Sequence, residues 1–178
     1  MNPTEELKKL TSLFPGGEGL FEQAEHVPSA LTPEPYKRLL VHEHHMTVTM
    51  EEFHRASVVV KVLERKLEGD IYSRKILLER SDNGRVVQFG LVRFDLGVVL
   101  PVVRDEILSE RTPLGRILIN YNVLRHIEVG AILQFTAGPD LAKLFDCAVG
   151  QTTYGRMATI FCNRKPAVDL LEVASPAD

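Results

Sequence analysis

The chain has 178 residues, 44% apolar and 25% charged, with a formal net charge of −3. That length fits one domain able to bury roughly two-thirds of its unfolded surface, and the slight negative charge leaves no basic footprint for DNA or RNA. No apolar run reaches membrane-spanning length, and Glu5, Glu6, Lys8 and Lys9 interrupt the N-terminus where a signal peptide is apolar, so a cytoplasmic location without a membrane span is expected.

Leu7, Leu10 and Leu13 have helical spacing and stop at Pro15-Gly16-Gly17. Residues 14–35 hold Pro15, Pro28, Pro33 and Pro35 and read as an irregular connection, so 1–35 is expected to be an N-terminal helix plus linker and 36–178 the main body. A short helix is predicted from Tyr36 to Val41. Strands are predicted over 56–67, 71–80 and 85–96, joined by a turn at Gly69-Asp70 and a hairpin at Ser81-Asp82-Asn83-Gly84. Helices follow over 101–110 and 114–119. The alternation over 123–129 suits a strand without excluding a helix, and a helix over 141–148 with Asp140 before it and strands over 152–162 and 167–174 complete the chain. The fold class is α+β, a single domain on an antiparallel sheet of about six strands with inserted helices.

Period-2 alternation puts Arg74 on one strand face with Tyr72, Ile76 and Leu78, and Glu172 on another with Val168, Leu170 and Ala174. Both therefore point inward. A guanidinium keeps its charge on burial and needs an anion, either a structural partner such as Glu172 or a bound ligand. Arg125 and Arg156 also fall on inward faces, so inward cations outnumber the one clear inward carboxylate. That excess favours an anionic ligand, and the planar fork of arginine suits a carboxylate. A small organic acid is expected.

Other chemistry finds less support. His42, His44 and His45 have HxH spacing but no matching third and fourth ligand, so no metal is expected. Cys147 and Cys162 lack CxxC spacing and read as free thiols. No GxSxG, GxGxxG or P-loop is present, which leaves hydrolase, dinucleotide and kinase readings unsupported.

Met46-Thr47, Ser73-Arg74-Lys75-Ile76-Leu77-Leu78, Thr112-Pro113-Leu114-Gly115-Arg116, Arg125, Tyr154-Gly155-Arg156, and Lys165-Pro166 followed by Glu172 resemble the chorismate lyases in order and approximate spacing, from about residue 36 onward. The resemblance implies an antiparallel sheet with helical flaps over an internal cavity. It implies that Arg74 and the backbone amides at Met46 and Leu114 hold the carboxylate of an aromatic product, while Glu172 meets its hydroxyl. It also implies conversion of chorismate to 4-hydroxybenzoate and pyruvate without a cofactor. Elimination of the enolpyruvyl group aromatises the ring, so the reaction needs mainly positioning and proton handling. Glu172 and Arg74 are the expected catalytic residues, with Arg125 or Arg156 matched by charge to the enolpyruvyl carboxylate. The His-rich stretch and residues 48–55 depart from the family pattern.

A non-catalytic binder of aromatic carboxylates is the alternative, because the same fold serves as the effector domain of some transcription regulators. Those regulators place a basic winged helix ahead of it, which residues 1–54 are too short and too acidic to supply. A lyase giving a different hydroxybenzoate is a further alternative. The expected partners are a small-molecule substrate and its product.

Overall fold

The computed structural model describes residues 2–177 and builds them on one antiparallel sheet. Its strands are β1 (Phe21–Val27), β2 (Val58–Glu68), β3 (Ile71–Arg80), β4 (Val86–Asp95), β5 (Arg125–Ala137), β6 (Thr152–Cys162) and β7 (Lys165–Ala174), in the spatial order β1-β5-β6-β7-β4-β3-β2. The helices are α1 (Pro3–Thr11), α2 (Tyr36–Leu40), α3 (Met46–His54), α4 (Pro101–Ser109), α5 (Leu114–Asn120) and α6 (Pro139–Phe145).

The α+β class holds, with seven strands among the described residues in place of about six. The additional strand, β1, lies within the stretch expected to be irregular. It pairs with β5 at the sheet edge, Ala24 opposite Phe135, while its residues stay largely exposed. An edge strand that buries little of either face carries no alternation for a sequence pattern to detect. Helix α3 is the second addition. Its N-cap position, His45, makes no side-chain cap, and Thr47, Val48 and Thr49 are β-branched, so local propensity opposes a helix. Burial of Met46 and Met50 against the sheet overrides it.

The turns follow their residues. Gly84 has φ +73 and closes the Ser81–Gly84 hairpin. Asn163 and Arg164 both take positive φ, 52° and 66°, and form the two-residue connection that starts β7 at Lys165, two residues ahead of the alternating run.

Each sheet face buries a different layer. Leu77, Phe89, Leu91, Phe135 and Leu171 pack under Leu10 of α1, Phe14 and Leu141 of α6, so the first 35 residues share one core with the rest. Full burial of each such side chain contributes about 1.5–3 kcal/mol. The opposite face is covered by α2 to α5 through Leu40, Met50, Ile107, Ile117 and Leu118. An internal cavity lies between that helical layer and the sheet.

Candidate ligand site

The floor of the cavity is built from alternate residues of three adjacent strands: Arg74, Ile76 and Leu78 of β3, Gln88, Gly90 and Val92 of β4, and Leu170 and Glu172 of β7. Its roof is His45 to Thr47 at the start of α3 and Pro113 to Gly115 at the start of α5. Register puts Arg74 opposite Val92, Ile76 opposite Gly90, and Gly90 opposite Glu172. Gly90 keeps the middle of the floor bare, since a Cβ there would lie 3.1 Å from the Ile76 side chain. Gly115 lets the roof close, because a Cβ at that position would stand 2.8 Å from that of His45. The enclosed volume is about 40 Å³.

Arg74 is 3% exposed, and its Nη1 has no hydrogen-bond partner. The structural alternative, an Arg74 to Glu172 ion pair, is not formed. Glu172 Oε2 instead accepts from Arg156 Nε at 2.7 Å, because Arg156 and Glu172 are direct partners in the β6 and β7 ladder. On the other side of Arg74, the Tyr72 hydroxyl donates to Glu110 at 2.5 Å, and Glu110 also holds Arg65 at 2.6 Å. Burial, reinforced by Glu110, pushes the Tyr72 phenol up to about 12. Burial also lowers the pKa of Arg74, against the opposing pull of Tyr72 and Glu110, yet a guanidinium remains charged. Above it, the first helical bonds of α3 and α5 run from Thr49 N–H to His45 O (3.2 Å) and from Ile117 N–H to Pro113 O (3.1 Å). The Met46 and Leu114 amides precede those bonds and have no partner within their helices.

Arg74, Met46, Leu114 and Glu172 thus come together on one cavity. Arg125 and Arg156 do not line it. Arg156 is 1% exposed and fully occupied, giving Nε to Glu172, Nη1 to the His42 carbonyl at 2.8 Å and Nη2 to the His44 carbonyl at 2.9 Å. Arg125 donates from Nε to His45 Nε2 at 2.7 Å and from Nη1 to the Val123 carbonyl at 3.0 Å. Their charge is spent on the frame of the site, where the sequence pattern matched it to a second ligand carboxylate.

The same contacts explain the His-rich stretch. His42 donates from Nε2 to the Leu39 carbonyl at 2.7 Å and accepts the His44 amide at Nδ1. Burial, then Arg156, lowers its pKa to about 4. Burial, then Arg125, does the same for His45, which accepts from Arg125 as the neutral ring. His45 also walls off an open depression of about 500 Å³ that Arg125, Glu43 and Glu52 line from outside. Among the described residues no group of three His, Cys, Asp or Glu side chains is arranged to hold a metal, and no helix is long and apolar enough to cross a membrane. Sequence reasoning missed Gln88 and His45 as cavity residues; the signal for Gln88 was its place beside Gly90 on the face opposite Phe89 and Leu91.

The fold is a single α+β domain on a seven-stranded antiparallel sheet, with Arg74 and Glu172 lining an internal pocket. No protein-family model matches the sequence, and no curated protein matches it. Solved structures do. The effector domain of PhnF from Mycobacterium smegmatis has a TM-score of 0.55 at 9% identity, over 74% of this chain and 88% of that one. A structure of PhnF from the same organism gives 0.54 at 9% identity, over 74% and 63%. The C-terminal domain of the histidine utilization repressor from Pseudomonas syringae pv. tomato gives 0.48 at 16% identity, over 66% and 91%. The first two carry the likeness, and it is one of fold.

Proposed function

We propose that the protein binds a small aromatic carboxylate in the internal cavity, its carboxylate against Arg74 and the Met46 and Leu114 amides, its ring hydroxyl towards Glu172. The observation that carries this reading is the unpartnered, buried Nη1 of Arg74. A buried guanidinium nitrogen without an acceptor destabilises a fold, and although Tyr72 and Glu110 favour the charge of Arg74, the carboxylates Glu172 and Glu110 are themselves held by Arg156, Tyr72 and Arg65. A ligand carboxylate supplies the acceptor that Nη1 lacks, in a charge-assisted hydrogen bond. Val60, Ile76, Leu78 and Ile160 offer the apolar walls that an aromatic ring needs. The name of the similar effector domain of PhnF agrees with a binding role by analogy of fold.

A second reading is catalytic, and the joint placement of Arg74, Glu172, Met46 and Leu114 on one cavity favours it. In it the protein is a lyase that converts chorismate to 4-hydroxybenzoate and pyruvate. Arg74 fixes the ring carboxylate, and Glu172 assists removal of the proton from the hydroxylated carbon. The ether bond to the neighbouring carbon breaks, the ring becomes aromatic, and the departing enolpyruvate takes up a proton to become pyruvate.

One experiment separates the readings. Purified protein is mixed with chorismate in metal-free buffer while aromatic absorbance and pyruvate are followed, and 4-hydroxybenzoate is titrated calorimetrically in parallel. Both products indicate the lyase, binding without turnover indicates the binder, and the absence of both overturns the site.

A further inference from the structure

Arg74 Nη1 and Gln88 Oε1 are the two buried side-chain atoms, among the described residues, that have no hydrogen-bond partner, and both residues line the same cavity. Gln88 is 2% exposed. A buried amide oxygen left without a donor destabilises the fold, so a glutamine at this position requires an explanation of its own.

Position supplies one. Gln88 lies four residues from Val92, the partner of Arg74, so the two polar ends of the floor are about 13 Å apart along the strand at backbone level. Gly90 lies between them. Across the β4 and β7 ladder Gln88 faces Ala174 while Gly90 faces Glu172, which makes Gln88 and Glu172 diagonal neighbours. Such neighbours are roughly 7–8 Å apart at the backbone, close enough for long side chains to reach one small group. The chemistry of the two ends differs. Arginine is a charged donor, whereas the glutamine amide is neutral and offers both a donor and an acceptor.

We infer that Gln88 is a specificity-determining residue: its Oε1 accepts from a second ring hydroxyl, adjacent to the hydroxyl that Glu172 meets, so the cavity selects ring carboxylates with two neighbouring hydroxyls. This rests on the reading of the cavity as a carboxylate site. The ligand class that fits is a vicinal dihydroxybenzoate, whose second hydroxyl donates to the amide oxygen.

The test is calorimetric titration of the wild type and Gln88→Leu with benzoate, 4-hydroxybenzoate and 3,4-dihydroxybenzoate, with thermal unfolding of both proteins free of ligand. The wild type is expected to bind 3,4-dihydroxybenzoate about fivefold to tenfold more tightly than 4-hydroxybenzoate, the effect of one added hydrogen bond. Gln88→Leu is expected to bring that ratio to about one while unfolding at the same or a higher temperature, because it removes an unpartnered amide oxygen. An unchanged ratio in Gln88→Leu, or a lower unfolding temperature with no change in ratio, makes Gln88 a structural residue and overturns the inference. Benzoate separates this failure from that of the site: if benzoates bind without discrimination, Gln88 alone is misassigned, and if none binds, the carboxylate reading falls with it.

Discussion

Arg156 and Glu172 face each other across the β6 and β7 ladder with Nε and Oε2 at 2.7 Å, and the same guanidinium reaches the carbonyls of His42 and His44. One cation therefore holds both the cavity carboxylate and the stretch of chain that leads into the roof. It also leaves Arg74 without that carboxylate. Arg156→Met strands Glu172 as a nearly buried charge, so a destabilisation of about 3–5 kcal/mol is expected in urea unfolding. The double variant with Glu172→Leu should recover much of that loss. A cost below about 1 kcal/mol in the single variant contradicts this role.

Stability should also depend on pH through the histidines. His42 and His45 are held at about 4, against 6.5 for an ordinary histidine. Between those values the unfolded chain binds more protons than the folded one, so stability is full above about pH 6.5, falls as pH drops, and has lost this contribution below about pH 4. Glu43, Glu52, His44, Arg125 and His126 face His45 across the depression outside it. The expected thermal profile is flat near pH 7 and declines from about 6.5 downward. His45→Gln, which keeps an acceptor for Arg125, should reduce the slope; an unchanged slope shows that His45 does not contribute.

The roof must move to admit a ring. An aromatic molecule needs a cavity on the order of 150 Å³, against the 40 Å³ enclosed here. Glu51 of α3 and Arg116 of α5 pair at 3.0 Å and tie the two roof helices together. The pair is partly exposed and contributes about 0–1 kcal/mol. Glu51→Gln should therefore change the unfolding temperature by no more than about 4 °C, while 4-hydroxybenzoate associates and dissociates several-fold faster by stopped-flow tyrosine fluorescence. Unaltered rates show that this pair does not latch the roof.

The inward direction of Arg74 and Glu172 was legible because strand alternation exposes a charge on an apolar face, and most of the strands followed from the same pattern. The partner of Glu172 was not, since register between β6 and β7 is a tertiary property and alternation carries no register. Strand β1 was hidden by its edge position, and α3 by a start without a capping side chain and a first turn rich in β-branched residues. The family resemblance brought Met46 and Leu114 to the site, which no propensity would have done. Gln88 shows the opposite failure: its alternation placed it beside Gly90, but a neutral polar residue draws less notice than a charge.

Arg74 remains the centre of the site, and its removal gives the most direct test. 4-Hydroxybenzoate is titrated calorimetrically into the wild type and Arg74→Met, and both proteins are melted without ligand. The expected result is a roughly ten- to hundredfold loss of affinity in Arg74→Met, the effect of one charge-assisted hydrogen-bond set, with an unfolding temperature equal to or above that of the wild type because a buried guanidinium with an unpartnered nitrogen has gone. Equal affinity in the two proteins, or a marked fall in the unfolding temperature of Arg74→Met, contradicts the assignment of Arg74 as the ligand's anchor.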